Sequence, residues 1–243
     1  MEKFIVKKVL DNYQTDRNGF MRPVILMNEL QGMADNHAEH LGAGRRYCIR
    51  NNCAWVVTHY LIDIAELPCE GEELKLITWP SGNSGVKAFR DFEFRGADDR
   101  LMISATSQWV LIDLEKRTPL RFLDHLQKFD YLNARALNRH FEKFAEFDAD
   151  KWVSFKCRYD DIDVNQHINN AAYIVWATES VGFEFRNNHK LKALEINFKK
   201  EVNPNTDQIT VDVLITGNTS QHKIRSGDII NAYIVCCWEK INK

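Results

Sequence analysis

The order of helix-like and strand-like segments repeats within this chain, and this repeat restricts the fold more than any other sequence feature. Each half contains a short strand, one long amphipathic helix and a run of strand-like segments. The first helix is predicted to begin at Pro23, which suits a first helical turn, and to end before Gly42 and Gly44. Its apolar residues are Val24, Met27, Leu30, Ala34, Ala38 and Leu41. The pattern predicts two helix-plus-antiparallel-sheet units and the α+β class.

The second helix is predicted to start after Asn169 and Asn170, because asparagine is a favourable N-cap residue. Its apolar positions are Ile174, Ala177, Val181 and Phe185. The residues that lead into the two helices also correspond, although their spacings differ by one residue. They are Tyr13, Asp16 and Asn18 before the first helix, and Tyr159, Asp163 and Asn165 before the second. This similarity supports an internal duplication.

Segments rich in β-branched and aromatic residues follow each helix and indicate antiparallel strands. The predicted strands are 55–64, 73–79, 86–94 and 101–113 after the first helix, and 193–200, 209–216 and 229–239 after the second. A sheet wrapped around one long helix is the hot-dog architecture, so the sequence predicts a tandem hot-dog. The N-terminal unit is expected over 1–130 and the C-terminal unit over 151–243. Residues 131–150 are expected to form a partly helical surface connector.

The charge balance excludes one class of partner. The chain has 32 Lys and Arg against 34 Asp and Glu, a formal net charge of −2, whereas proteins that neutralise nucleic-acid phosphates carry a basic excess. The hydrophobic content of 44% is also too high for a disordered chain. No apolar run reaches the roughly 18 residues that span a bilayer, no signal peptide is evident, and the cysteines form no CxxC pair. A cytoplasmic protein with reduced cysteines is predicted.

The segment just before the second helix is the most polar in the chain and permits three interpretations. A calcium loop is the first, since Asp161, Asp163 and Asn165 match its leading ligand positions. Gln166 and Ala172 argue against it, because this loop needs a glycine and a bidentate glutamate at those places. Turn and capping chemistry is the second, because Asp and Asn favour turns and N-caps for local hydrogen-bonding reasons.

A site for acyl transfer or hydrolysis is the third interpretation. Histidine is the residue type that titrates near neutral pH, so His167 could act as a general acid or base. Asp163 could orient it, and Asn165 could hold a carbonyl oxygen or a water molecule. The N-terminus of the second helix could stabilise a developing oxyanion. Spacing alone does not separate this interpretation from capping.

The same segment resembles the signature of the acyl-ACP thioesterases of plants and bacteria, where ACP is acyl carrier protein. In this sequence the signature is Ile162-Asp163-Val164-Asn165-Gln166-His167-Ile168-Asn169-Asn170, followed by Tyr173, Trp176 and Glu179-Ser180. Further stretches that look like family landmarks are 36–38, 55–58, 77–79, 107–111 and 194–201. Because these stretches follow the expected order from Pro23 to Asp207, the chain is identified as a member of this family.

The resemblance implies a tandem hot-dog that hydrolyses a fatty acyl thioester on ACP, a step of fatty acid biosynthesis. The catalytic residues that it carries over are Asp163, Asn165, His167 and Glu201. Family members often have a cysteine directly after that glutamate, but this chain has Val202. Water is therefore the expected nucleophile, activated by Glu201 or His167. Attack by Asp163 to form a mixed anhydride stays open as an alternative.

Two expectations concern how such a site is built. Ile196 and Phe198 share one face of a regular strand, so Glu201 falls on the other face. A bulge or a strand end near 199–200 is needed to aim Glu201 at the site. The segment 18–22 before the first helix contains no histidine. A single active site is therefore expected in the C-terminal unit, with the N-terminal unit structural and acyl-binding.

Other motifs indicate neither a metal nor a nucleotide, and no cofactor is predicted. His37 and His40 lie three residues apart on a helix but do not form HExxH, and 82–85 lacks the lysine and Ser/Thr of a P-loop. Four residues of the first helix either line an acyl tunnel or pack in the core. They are Met27, Leu30, Met33 and Ala34.

The expected protein partner is ACP. Because ACP is acidic, its docking surface should be basic. The candidate residues are Arg45, Arg46, Lys190, Lys192, Lys199 and Lys200. A hot-dog thioesterase that acts on coenzyme A thioesters and a non-catalytic acyl-binding protein remain as alternatives, and homo-oligomerisation stays open.

Overall fold

The computed structural model describes residues 2–121 and 130–241. The first half contains β1 (Phe4–Val9), α1 (Pro23–His40), α2 (Arg45–Arg50), β2 (Cys53–Ile64), β3 (Glu73–Ser84), β4 (Lys87–Gly96), β5 (Leu101–Asp113) and β6 (Pro119–Leu120). The second half contains β7 (Lys151–Phe155), α3 (Asn170–Ser180), α4 (Phe183–Asn188), β8 (His189–Phe198), β9 (Ile209–Thr216), β10 (Thr219–Ser226) and β11 (Ile229–Lys240). Short 3-10 helices precede α1 and α3, at Asn12–Gln14 and Tyr159–Asp161.

The strands of the described residues form one antiparallel sheet in the order β1-β3-β4-β5-β2-β8-β11-β10-β9-β7, with β6 paired to β5. In this order β7, β9, β10, β11 and β8 mirror β1, β3, β4, β5 and β2. The two halves are therefore related by an approximate twofold axis between β2 and β8. These two strands pair from His59–Asn197 to Asp63–Ala193.

Both long helices pack against the sheet and against each other. Met27, Leu30 and Met33 of α1 are at most 3% exposed and share one core with residues of α3 and the strands. Core packing is therefore the role of these three residues. The predicted α+β class and tandem hot-dog fold are confirmed. In the part of the chain that the structure describes, no helix has the length and apolarity to cross a bilayer.

The predicted strands are present, and the structure adds two that the sequence did not suggest, the two-residue β6 and β10. The sequence of β10 is polar, but its buried residues alternate as Ser220, His222 and Ile224, which is the pattern of a half-buried strand. The second long helix is also shorter than predicted. It ends at Ser180, and Gly182, whose φ is 100°, separates it from α4.

The connector was predicted to be partly helical, and that prediction is wrong for the described residues 130–150, which form no helix or strand. The segment instead lies extended on the outer face of the sheet. The buried carboxylate of Asp91 pairs with Arg135 at 3.2 Å and accepts the backbone N–H of Ala136 at 3.0 Å. Trp79 Nε1 donates to Ala134 O at 2.8 Å. An extended chain leaves its backbone groups available for such bonds, whereas a helix would use them internally.

Candidate active site

The carboxylate of Asp163 holds the turn that precedes α3. Its Oδ1 accepts the backbone N–H groups of Asn165 at 2.8 Å and His167 at 3.2 Å. The backbone N–H of Asp163 donates in turn to His167 O at 2.8 Å. Gln166 adopts a positive φ of 63° to complete the turn. This local network fixes the point at which the His167 side chain leaves the backbone.

The same turn precedes α1. Asp16 Oδ1 accepts the backbone N–H groups of Asn18 at 2.8 Å and Phe20 at 3.2 Å, and Asp16 N–H donates to Phe20 O at 2.8 Å. Phe20 thus occupies the place of His167. The two tyrosines do not occupy the same place: Tyr13 is the second residue of its 3-10 helix, whereas Tyr159 is the first residue of the other. This offset accounts for the one-residue difference in the spacing from tyrosine to aspartate. Aspartate and asparagine serve the turn in both halves, and only the second half adds a histidine.

A bulge at the end of β8 aims Glu201 at this turn. The strand ends at Phe198, and the backbone N–H groups of Lys199 and Lys200 both donate to Asn231 O, at 2.8 and 3.2 Å. The Asn231 Nδ2 group donates back to Lys200 O at 3.1 Å and Glu201 O at 3.3 Å. The prediction that a bulge or strand end near 199–200 must re-aim Glu201 is therefore confirmed in its geometry.

The first half contains the matching bulge without the matching side chains. The backbone N–H groups of Ala65 and Glu66 donate to Met102 O at 2.9 and 3.2 Å. By this correspondence Leu67 takes the place of Glu201, and Met102 takes the place of Asn231. The backbone of the site and the Asp of its turn are duplicated, whereas the counterparts of His167, Glu201 and Asn231 in the first half are apolar.

The turn that precedes α3 and the bulge that follows β8 border the same cavity. His167 Nδ1 lies 3.7 Å from Glu201 Oε1, and both side chains are about half exposed. The cavity has a volume of about 480 Å³ and lies between the two halves. From the second half it is lined by Asp163, Asn165, His167, Asn170, Tyr173, Lys199, Lys200 and Glu201, and from the first by Gln31, Asp35, Trp55, Thr58, Trp109 and Arg117. All four residues predicted to be catalytic therefore border the same space.

Of these four residues, Asp163 makes a contact that differs from the expected one, which was to orient the His167 side chain. Asp163 bonds the backbone N–H of His167, and the carboxylate beside the His167 ring is that of Glu201. Asn165 Nδ2 lies 3.4 Å from Asp163 Oδ2. At the start of α3, Asn169 Oδ1 caps the helix by accepting the N–H of Ala171 at 2.9 Å. Turn and capping chemistry, the second interpretation, is therefore present, and the turn that it builds presents His167 to the cavity.

Two family models together match most of the chain. The family model for the acyl-ACP thioesterase N-terminal domain matches residues 2–129, and the model for the C-terminal domain matches residues 145–240. The chain belongs to the acyl-ACP thioesterase family. The family resemblance of the polar segment is thereby confirmed.

Plant members of the acyl-ACP thioesterase family are among the similar curated proteins. The chloroplastic palmitoyl-acyl carrier protein thioesterase of Gossypium hirsutum is 30% identical over 195 residues, which are 72% of this chain and 46% of the relative. Oleoyl-acyl carrier protein thioesterase 2 of Arabidopsis thaliana is 27% identical over 239 residues, which are 90% of this chain and 63% of the relative. The chain thus spans about half to two thirds of the length of these relatives.

Solved structures of acyl-ACP thioesterases share the fold. The 12:0-ACP thioesterase from Umbellularia californica has a TM-score of 0.88 and 19% identity, and the alignment covers 98% of both chains. An acyl-ACP thioesterase from Bacteroides thetaiotaomicron has a TM-score of 0.86 and 20% identity over the same shares. At such identities the likeness supports the tandem hot-dog fold.

Val202, which stands where family members often have a cysteine, has a structural role. Val202 is 1% exposed, and its N–H donates to the hydroxyl of Tyr173 at 3.0 Å, so it anchors the segment after Glu201. Cys157, the nearest cysteine in sequence to the turn, packs against the core, and burial raises the pKa of its thiol. A protonated thiol is a poor nucleophile.

Gln31 is a site residue that sequence reasoning missed. Its side chain crosses from α1 to α3, where its Nε2 donates to Asn169 Oδ1 at 3.2 Å and its Oε1 accepts from Asn170 Nδ2 at 3.0 Å. The amide of Gln31 therefore ties the first half to the start of α3. No local pattern could have indicated this contact, because its partners are more than 130 residues away.

The remaining polar motifs of the sequence are structural. His37 is 3% exposed, stacks on Phe4 with ring centroids 5.2 Å apart and lies 3.0 Å from Arg90 through its Nδ1 atom. Burial, with Arg90 next, lowers the pKa of His37 to about 4. The glycine-rich segment 82–85 forms the end of β3 and the hairpin turn into β4.

Proposed function

We propose that this protein hydrolyses fatty acyl-ACP to a free fatty acid and holo-ACP. The observation that carries the proposal is the His167–Glu201 pair, 3.7 Å apart at the wall of a 480 Å³ cavity, in a chain of the acyl-ACP thioesterase family. An imidazole beside a carboxylate is a suitable general base for a water molecule. The cavity is large enough for the thioester group and the arm that carries it.

In the proposed reaction, His167 takes a proton from a water molecule whose oxygen attacks the thioester carbon. Glu201 stabilises the resulting imidazolium. The tetrahedral intermediate then collapses, the carbon–sulfur bond breaks, and His167 returns the proton to the leaving thiolate of ACP. Asn165 is the proposed donor to the oxyanion, with the positive end of the α3 dipole as a further stabilising charge, since the N–H groups of Ala171 and Ala172 already donate to Asn169.

Direct attack by Asp163 is the competing chemical step, and Asp163→Asn separates the two. An asparagine keeps one side-chain oxygen that can accept the N–H groups of Asn165 and His167, but it cannot form an anhydride. With water as nucleophile, Asp163→Asn should retain more activity than Asp163→Ala. Equal and near-complete loss in both variants, with an unchanged melting temperature, would favour attack by the carboxylate.

We propose further that the N-terminal unit, residues 1–130, is structural and binds the acyl chain, while residues 131–150 connect it to the catalytic unit, residues 151–243. A second, mostly apolar pocket beside α1 supports this assignment, because it shares Asp35, Trp55 and Trp109 with the cavity. Its other lining residues are Ala34, Ala38, Ala43, Pro80, Ala88, Phe89 and Arg90. Its volume of about 50 Å³ is small for a fatty acyl chain, so the proposal requires its lining side chains to move apart when the chain enters from the site at His167.

The proposed docking surface for ACP consists of Lys199 and Lys200 at the cavity, joined there by Arg117. Arg46 and Lys190 were also candidates, but each pairs with a carboxylate of this chain, on Glu39 at 3.1 Å and Glu239 at 3.3 Å. Raising the salt concentration should increase KM for acyl-ACP and leave a small thioester nearly unaffected, because only the former depends on exposed charges. Equal effects on both would contradict this surface.

The experiment that tests the function is release of fatty acid from acyl-ACPs of different chain lengths, with acyl-CoA thioesters as controls. The proposal expects turnover of acyl-ACP by the wild type and strong losses in His167→Ala and Glu201→Ala. Turnover of acyl-CoA alone would indicate a coenzyme A thioesterase, and binding without turnover would indicate an acyl-binding protein. The cytoplasmic location stays a prediction, and cell fractionation tests it.

A further inference from the structure

We infer that Asn231 is a positioning residue that holds Glu201 at catalytic distance from His167. The inference rests on the proposed function, because it assigns Asn231 a role only through Glu201. Asn231 lies on β11, is fully buried and does not border the cavity. It therefore acts on the site without touching the substrate.

The contacts of Asn231 converge on the segment that carries Glu201. Its backbone oxygen accepts the two N–H groups that form the bulge, and its Nδ2 donates to Lys200 O at 3.1 Å and Glu201 O at 3.3 Å. Asn231 thus forms hydrogen bonds with both N–H groups and C=O groups of this segment. Tyr173 holds the next residue, since its hydroxyl accepts the N–H of Val202 at 3.0 Å. Between these anchors the direction of the Glu201 side chain is set.

The first half of the chain shows that the bulge itself does not need an asparagine. Met102 accepts the same pair of backbone N–H groups, from Ala65 and Glu66, with nearly the same lengths. A thioether has no hydrogen to donate, so Met102 cannot bond the following carbonyls. The corresponding side chain there is the apolar Leu67, which has no catalytic partner to face. The side-chain bonds of Asn231 occur in the half where the bulge carries the glutamate.

Asn231 at this buried position also lowers the stability of the fold. Its Oδ1 is buried and has no hydrogen-bond partner among the residues that the structure describes. An unpaired buried acceptor lowers stability, whereas a methionine at this place would bury only apolar atoms. Stability alone therefore does not account for Asn231, and the fixed position of Glu201 does.

The test replaces Asn231 with the residue that the chain itself uses at the matching place. We expect Asn231→Met to fold, as the Met102 bulge does, and to lower kcat about 10- to 100-fold, because small displacements of catalytic groups cost up to about 100-fold. KM for acyl-ACP should change less than twofold. Asn231→Leu, close to asparagine in shape, provides a second variant.

A double-mutant cycle with Glu201→Gln separates this inference from the proposed function. If Asn231 acts through Glu201, adding Asn231→Met to Glu201→Gln lowers kcat no further. Met102→Leu, at the matching place in the first half, is the control and should leave kcat unchanged. Wild-type kcat in both folded Asn231 variants, or additive losses in the cycle, would overturn the positioning role. A fully active Glu201→Gln would instead overturn the role of Glu201 in the proposed function.

Discussion

At the residue scale, three side chains distinguish the proposed catalytic half from the other half. The turn and the bulge are built by the same backbone hydrogen bonds in both. On this shared backbone the second half carries His167, Glu201 and Asn231, and the first carries Phe20, Leu67 and Met102. Each half is therefore a natural control for the other, since a residue taken from one is known to fit the backbone of the other.

The first prediction uses this relationship at the histidine. His167→Phe should fold normally, because Phe20 occupies the same turn, and should lose at least about 100-fold in kcat, because a general acid–base is removed. Fatty acid release and thermal unfolding measure the two properties. The reciprocal change Phe20→His should leave the rate unchanged, since Leu67 offers it no carboxylate. Substantial activity in His167→Phe would contradict the role of His167.

At the element scale, the sequence predicted what depends on neighbours along the chain and missed what depends on distant ones. The start of α1 at Pro23 and the capping of α3 by Asn169 follow from local chemistry. The alternation of side chains along the strand was enough to indicate that a bulge or a strand end must aim Glu201 at the site. The partner in that bulge, Asn231, lies on another strand, and the bridge of Gln31 joins two helices, so neither had a local signal. The connector was misjudged because its extended form depends on bonds to the sheet.

The second prediction concerns the duplicated turn. Asp16→Ala and Asp163→Ala remove the same pair of backbone hydrogen bonds. Each should lower the free energy of unfolding by about 1 kcal/mol, because the N–H groups freed in the two turns are partly or fully exposed. Only Asp163→Ala should lower kcat, since it displaces His167. Urea denaturation and steady-state kinetics on both variants check this, and equal losses of kcat would show that the turns do not differ in function.

At the scale of the whole molecule, buried histidines make the fold sensitive to acid. Burial is the first cause that lowers the pKa of His37 and His59 to about 4 and of His222 to about 3, with nearby Arg or Lys adding to it. Unfolded histidines bind protons near pH 6.5. Between about pH 6.5 and 4 the unfolded state therefore binds more protons than the folded state, and stability falls as the pH falls.

The third prediction concerns how much His222 contributes to the pH dependence of the unfolding free energy. His222→Gln should reduce the slope of unfolding free energy against pH, below pH 6, by up to about 1.4 kcal/mol per pH unit, which is the contribution of one histidine that stays neutral in the folded state. Urea denaturation at pH 7, 6 and 5 measures the slope. The slope is the readout because the substitution also disturbs bonds to Ser180 and Ser220. The exposed His140→Gln serves as the control, and an unchanged slope in His222→Gln would refute the assignment.

The two halves also divide the proposed substrate between them, and the fourth prediction follows from this division. The thioester would lie at His167 in the second half, and the acyl chain would extend beside α1 in the first, where four alanines line the pocket. Ala88→Leu should narrow this space and shift the preference in a mixture of acyl-ACPs toward shorter chains. The kcat/KM for the longest substrate should fall about tenfold or more, because each methylene that no longer fits costs about that much. The exposed Ala97→Leu, in the turn between β4 and β5, should leave the preference unchanged. An unaltered chain-length profile in Ala88→Leu would mean that the acyl chain lies elsewhere, because a larger side chain in an occupied pocket must exclude part of its ligand.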